Sequence, residues 1–130
     1  MNGKTLIIRQ VPVAQPRPRV TRFGTFDPAK DKKNWYRIQL SEQVDEIIEG
    51  PIALEVFFFL PIPKSTSKKK RNAMLLEDSR HTKKPDIDNY IKLILDVMTD
   101  IVYKDDSQIW RIDAKKMYSD DPRTEIILTW

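Results

Sequence analysis

The chain has 130 residues, 40% hydrophobic and 32% charged, a composition that fits one globular domain with a buried core and excludes a wholly disordered chain. It contains no cysteine and one histidine, His81, which excludes disulfides, thiolate catalysis, cysteine zinc sites and a multi-histidine metal centre within one chain. The net charge is +4, and no run approaches the roughly 18 apolar residues that a membrane span needs.

In chain order, Thr5 to Val11 alternates and is rich in Ile and Leu, which predicts a first strand. It has too little apolar length for a secretory signal, so a cytoplasmic protein is expected. Pro12, Pro16 and Pro18 end the strand and force an extended connection. Arg17, Arg19 and Arg22 lie in this connection, with Phe23 and Phe26 around Gly24, so the segment reads as a flexible basic arm or a hairpin tip. Asp27-Pro28 signals a helix start. The helix is expected from about Ala29 to Ile48, with Trp35, Ile38, Val44, Ile47 and Ile48 as its apolar face and Gly50 as its stop.

Pro51 to Leu60 predicts a second strand with Ile52, Leu54, Val56, Phe58 and Leu60 on one face and Phe57 and Phe59 on the other. Apolar residues on both faces mark it as central. Residues 64–84 form a basic connection in which Ser65 or Ser67 caps a short helix through Leu76. A second main helix is expected from Asp86 to about Thr99. Asp105-Asp106-Ser107 is a turn, and strands follow at Ile109–Tyr118 and Thr124–Trp130. The Trp and Phe residues are expected in the core. No repeat or long linker divides the chain. The order β-α-β-α-β-β, with a short extra helix, predicts an α+β fold in which a mixed sheet packs with two main helices.

Charge is unevenly placed along this order. Residues 1–40 carry nine Lys/Arg and two Asp, and residues 64–84 carry eight Lys/Arg and two acids. Residues 85–130 carry ten acids and six Lys/Arg. The basic segments suit a polyanion. Acids clustered directly after them suit a metal-dependent nuclease better than a passive binder, which would avoid the repulsion.

The segment richest in chemistry is Lys83-Lys84-Pro85-Asp86-Ile87-Asp88-Asn89-Tyr90-Ile91-Lys92. The helix it opens is apolar over most of its circumference, except for Asp88, Lys92 and Asp96, which are spaced by four and stack on one face. Asp86 and Asp88 can converge on one hard cation, because Mg²⁺ takes one or two carboxylates and keeps water for its other positions. Asp105-Asp106 is the best source of a third acid, so Asp86, Asp88 and Asp106 are expected to meet. A metal there would polarise a scissile phosphate and acidify a water. Lys92, one turn past Asp88, would stabilise the developing charge or orient the water.

Each part has a plainer reading. Asp86 and Asp88 can serve as helix caps, Asp88 and Lys92 as a surface ion pair, Asp105-Asp106 as a turn, and Lys68–Arg71 as a solvated helix face. His81 is read as structural or phosphate-contacting.

Taken jointly, Lys84 to Leu93 with Asp96 resembles the RusA motif, Asp-x-Asp-Asn with a Lys four residues after the second Asp. Val102-Tyr103-Lys104-Asp105-Asp106-Ser107-Gln108-Ile109 resembles the same family's aromatic-x-Asp-Asp-x-Gln segment. Lys68-Lys69-Lys70-Arg71 looks like the basic connection of members from Gram-positive bacteria and their phages, and Lys115-Lys116-Met117-Tyr118 with Pro122 to Ile126 looks similar as well. The clear resemblance covers about residues 60–130.

The resemblance implies a homodimeric Holliday junction resolvase that makes paired, symmetric nicks with Mg²⁺, or Mn²⁺ as a substitute, in recombination and repair. Asp86, Asp88 and Asp106 match the metal-binding acids, Lys92 the catalytic lysine and Asn89 the motif's amide. Asp105 matches an acid of less defined role. Arg17, Arg19, Arg22, Lys68, Lys69, Lys70, Arg71, Lys83 and Lys84 are the expected DNA contacts. The basic stretch before Asp86 is diluted to Lys83-Lys84-Pro85. The competing expectations are a non-catalytic nucleic-acid-binding or phage accessory protein, and a degenerate member that binds junctions without cutting.

Overall fold

In the computed structural model, which describes residues 1–130, the chain begins with β1 (Gly3–Ile8), a small hairpin of β2 (Arg19–Thr21) and β3 (Gly24–Phe26), and helix α1 (Lys30–Gln43). It continues through β4 (Ile52–Pro61), α2 (Lys68–Leu75) and α3 (Ile87–Met98). A short 3-10 turn at Asp106–Gln108 leads into β5 (Ile109–Ser119), and β6 (Arg123–Thr129) closes the chain. The four long strands form one sheet in the order β1-β6-β4-β5. β6 runs antiparallel to β1 and β4, whereas β5 is parallel to β4. The fold is α+β with a mixed sheet, as expected, with α2 and the hairpin added to the two main helices.

β4 is central, and its alternation does what the sequence pattern implies. Ile52, Leu54, Val56, Phe58 and Leu60 are all buried, while Phe57 and Phe59 are half-buried on the other face. Each such burial contributes about 1.5–3 kcal/mol. Leu6, Ile8, Ile126 and Leu128 extend this face, and α3 covers it with Tyr90, Leu93, Ile94, Val97 and Met98.

Helix α1 differs from its expected limits and phase. It ends at Gln43, because Val44 turns extended (φ −118°, ψ 141°), so residues 44–48 lie outside it. Its buried side is Lys33, Tyr36 and Leu40, while Trp35 and Ile38 are exposed. Gln39 and Gln43 line this inner side because they carry bonds: Gln43 Oε1 accepts from Ile7 N and its Nε2 donates to Ile7 O, and Gln39 Oε1 accepts from Arg9 N. The free edge of β1 is thereby closed by α1. The opposite edge, β5, is bare only at its start, where Trp110 and Ile112 stand exposed, while α2 and the residues after it pack against its second half through Glu77 on Lys115 and His81 on Tyr118. The expectation that the Trp and Phe residues are core holds for Phe58 and fails for Trp35, Trp110, Phe23 and Phe26, all exposed. Length and apolarity alone do not say which rings find a covering layer.

Candidate active site at the head of α3

Pro85 precedes Asp86, whose extended backbone (φ −69°, ψ 150°) makes it the N-cap of α3. Its carbonyl accepts from Asn89 N at 3.1 Å, but its carboxylate makes no capping bond. Asp88 sits in the first turn, exposed, and Lys92 is exposed one turn on. No ion pair joins Asp88 to Lys92, and the capping reading of Asp86 does not hold for its side chain. The third member of the stripe differs: Asp96 Oδ2 lies 3.2 Å from Lys33 Nζ and 3.5 Å from Arg37 Nη2, both on α1.

Three bonds fix the entrance to α3. Lys116 of β5 donates from Nζ to Lys83 O at 2.9 Å and to Pro85 O at 3.1 Å. On the other side, Gln15 N donates to Asn89 O at 2.9 Å. Asn89 therefore ties the N-terminal arm to the helix through its backbone. The positioning roles of Lys33 and Lys116 were missed in the sequence. Lys116 pairs in register with Phe58 and so lies on the inner face of the sheet; a lysine at an apolar strand position was the available signal.

The second motif resolves into a scaffold and one free acid. Tyr103 is buried and donates from its hydroxyl to Leu95 O at 2.7 Å; burial pushes its pKa up, reinforced by the nearby Asp106, Asp96 and Asp105. Asp105 caps the 3-10 turn by accepting from Ser107 N at 2.9 Å, which holds its carboxyl below the usual range. Gln108 accepts from Lys104 N and Asp105 N and donates to Ile48 O and Gly50 O. Asp105 is thus structural, and Asp106 projects exposed from a braced turn.

The expected meeting of Asp86, Asp88 and Asp106 does not occur within the chain, where no group of three His, Asp or Glu residues is placed to hold a metal ion. The reason is the direction of α3. Its last turn packs on Tyr103, just before β5, whereas the residues that lead into its first turn, Lys83 and Pro85, are held by Lys116, near the end of β5. Seven residue steps separate Ile109 from Lys116 along β5, about 23 Å of strand. The two motifs therefore mark opposite ends of one element.

The expected DNA contacts divide in the same way. Lys83 and Lys84 are exposed beside Asp86. Arg17, Arg19 and Arg22 are exposed on the arm and hairpin and have no carboxylate partner. Ser67 caps α2 by accepting from Lys70 N, leaving Lys68, Lys69 and Lys70 exposed, while Arg71 is paired with Asp120. His81 packs its ring on Tyr118 at 4.8 Å; burial first, then Lys116, lowers its pKa. Its Nδ1 is buried without a hydrogen-bond partner.

The family profile described as Endodeoxyribonuclease RusA matches residues 10–129. The chain belongs to the RusA endodeoxyribonuclease family. The match includes the hairpin arm and α1 as well as both acidic motifs, so this membership extends beyond residues 60–130. Among RusA-like relatives, the crossover junction endodeoxyribonuclease rusA of Lactococcus phage r1t is 39% identical over 80 residues, 61% of this chain and 54% of the phage protein. The uncharacterized protein YqaN of Bacillus subtilis (strain 168) is 40% identical over 126 residues, 90% of this chain and 89% of YqaN. No helix of this RusA-family chain is long and apolar enough to cross a membrane.

Proposed function

We propose that the protein is a homodimeric, structure-selective endonuclease that cuts four-way DNA junctions by divalent-metal-assisted phosphodiester hydrolysis, in recombination and repair. The observation that carries this reading is the group Asp86, Asp88 and Lys92, left without partners at the head of α3 beside Lys83 and Lys84, in a member of an endodeoxyribonuclease family. The phage relative's name supplies the junction as substrate.

The donor chemistry fits Mg²⁺ or Mn²⁺: exposed carboxylates are hard oxygen ligands, and Mg²⁺ needs few of them. Asp86 and Asp88 would hold it, and a bound ion would polarise the scissile phosphate and acidify a water. Lys92 places a positive charge one turn along the same face, where it stabilises charge that develops on the phosphate. Lys83 and Lys84, with the arginines of the arm and the lysines of α2, neutralise flanking phosphates and set position rather than sequence preference.

Asp106 enters through the second copy. β5 is an open edge at its start, with Trp110 and Ile112 exposed, and a two-fold axis that pairs this stretch antiparallel with its copy closes that edge. The same pairing brings the start of one β5, with Asp106, toward the end of the other, with Lys116 and the head of α3. A dimer of this kind also presents two sites to a two-fold junction.

The test is a four-way junction incubated with and without Mg²⁺ beside linear duplex. Paired nicks in the junction alone, and only with metal, are expected. A junction bound but never cut would overturn the assignment in favour of a non-catalytic nucleic-acid-binding or phage accessory protein.

A further inference from the structure

The β2–β3 hairpin is the least buried part of the chain and holds its most exposed internal aromatic ring. Phe23 is 87% exposed, Val20 80% and Phe26 48%. The turn is two residues, Arg22-Phe23, between paired Thr21 and Gly24. Thr21 Oγ1 accepts from Phe23 N and donates to Gly24 O, and Gly24 supplies φ +124°, where a side chain would be strained. The tip is therefore shaped, although nothing in the chain covers it. Its ring has one neighbour of note, the Arg22 guanidinium at 5.0 Å.

Two three-residue strands do not hold a hairpin by themselves. This one is fixed at its base. Tyr36 Oη accepts from Val13 N and donates to Val11 O, Gln15 N donates to Asn89 O, and Asp27 is paired with the buried Lys33. The Gln15 bond joins the arm to the residue after Asp88. The segment from Val11 to Phe26 carries Arg17, Arg19 and Arg22 and no acid. Its charge fits a phosphate backbone, and its anchor is shared with the candidate active site.

We propose that this hairpin reads the DNA branch: Phe23 stacks on a base unstacked at the branch point while Arg17, Arg19 and Arg22 hold the phosphates around it. The inference rests on the junction-cutting reading and names the element that separates a junction from a linear duplex. In a continuous duplex both faces of each base are covered, so an aromatic ring has no free face to meet. At a branch a face is free, or is freed by a wedge, and every base presents one regardless of sequence.

The test uses the full-length chain without divalent metal, a four-way junction with 2-aminopurine at the branch point, and a linear duplex of equal length. Wild type is expected to prefer the junction and to change the probe's emission. F23A should weaken junction binding about tenfold or more, leave duplex binding as it is, and lose the emission change, and F23W should restore both. Replacing Arg17, Arg19 and Arg22 by Ala should weaken both DNAs and flatten the salt dependence of each by about three in log–log slope. An unchanged junction-to-duplex ratio and emission change in F23A would overturn the hairpin's role while wild-type cutting of junctions stands. Wild type with no preference for the junction would overturn both readings. Loss of the dimer in F23A with the ratio unchanged would reassign Phe23 to the subunit contact and overturn the proposal.

Discussion

Lys33 of α1 bonds Asp96 of α3 at 3.2 Å and, with the same ammonium group, Asp27 at the foot of the arm. One nearly buried cation, its side chain 9% exposed, thus joins both main helices and the base of the hairpin. It also removes Asp96 from the acidic stripe and leaves Asp88 and Lys92 without partners.

Replacing this cation tests the joint. K33M should lower stability by about 1–3 kcal/mol, because two carboxylates lose their partner. D96N should cost less, about 0.5–1 kcal/mol, since Asp96 is half exposed and screened. Urea unfolding measures both. Lys33 holds the Asp27 carboxyl below 3.8, chiefly through their hydrogen bond. The stabilisation is therefore present above that value and lost as pH falls through the lower folded value. K33M should show a weaker loss of stability over that acid range.

The chemistry at the head of α3 predicts a separation of cutting from binding. D88N and K92M should each lower junction cleavage about 100-fold or more while leaving junction binding within a few-fold. Gel-shift and single-turnover cleavage assays read the two quantities. Cleavage by D88N at the wild-type rate would remove Asp88 from the site.

A shared site predicts complementation between two inactive chains. D88N and D106N should each be inactive alone. In a mixed dimer, one site loses both acids and the other keeps both, so the mixture should nick junctions at one strand. If each chain built its own site, the mixture would be as inactive as its parts.

His81 predicts an acid limit milder than that of Asp27. Its pKa lies below 6.5 in the folded chain because its ring is partly buried against Tyr118 and close to Lys116. The neutral form is the one the fold favours, so this stabilisation is present above pH 6.5 and fades as pH falls through the folded value. Melting temperatures recorded from pH 7.5 to 5 should fall less in H81F than in wild type.

The period-two pattern of Ile52 to Leu60, the Pro85-Asp86 helix start, a serine cap for α2 at Ser65 or Ser67 and the acid-rich motifs were all legible in the sequence, because each depends on neighbours a few residues away. The phase of α1 was not. Lys33, Gln39 and Gln43 face inward because a strand edge and two carboxylates, contributed by distant segments, satisfy them there. Burial depends on such partners, and hydrophobicity cannot report them. The same limit governed the site. Residue spacing placed Asp86, Asp88 and Lys92 together on one helix, but whether Asp106 joins them depends on the direction in which α3 crosses β5. That direction comes from the packing of the two layers and places the motifs at opposite ends of the strand.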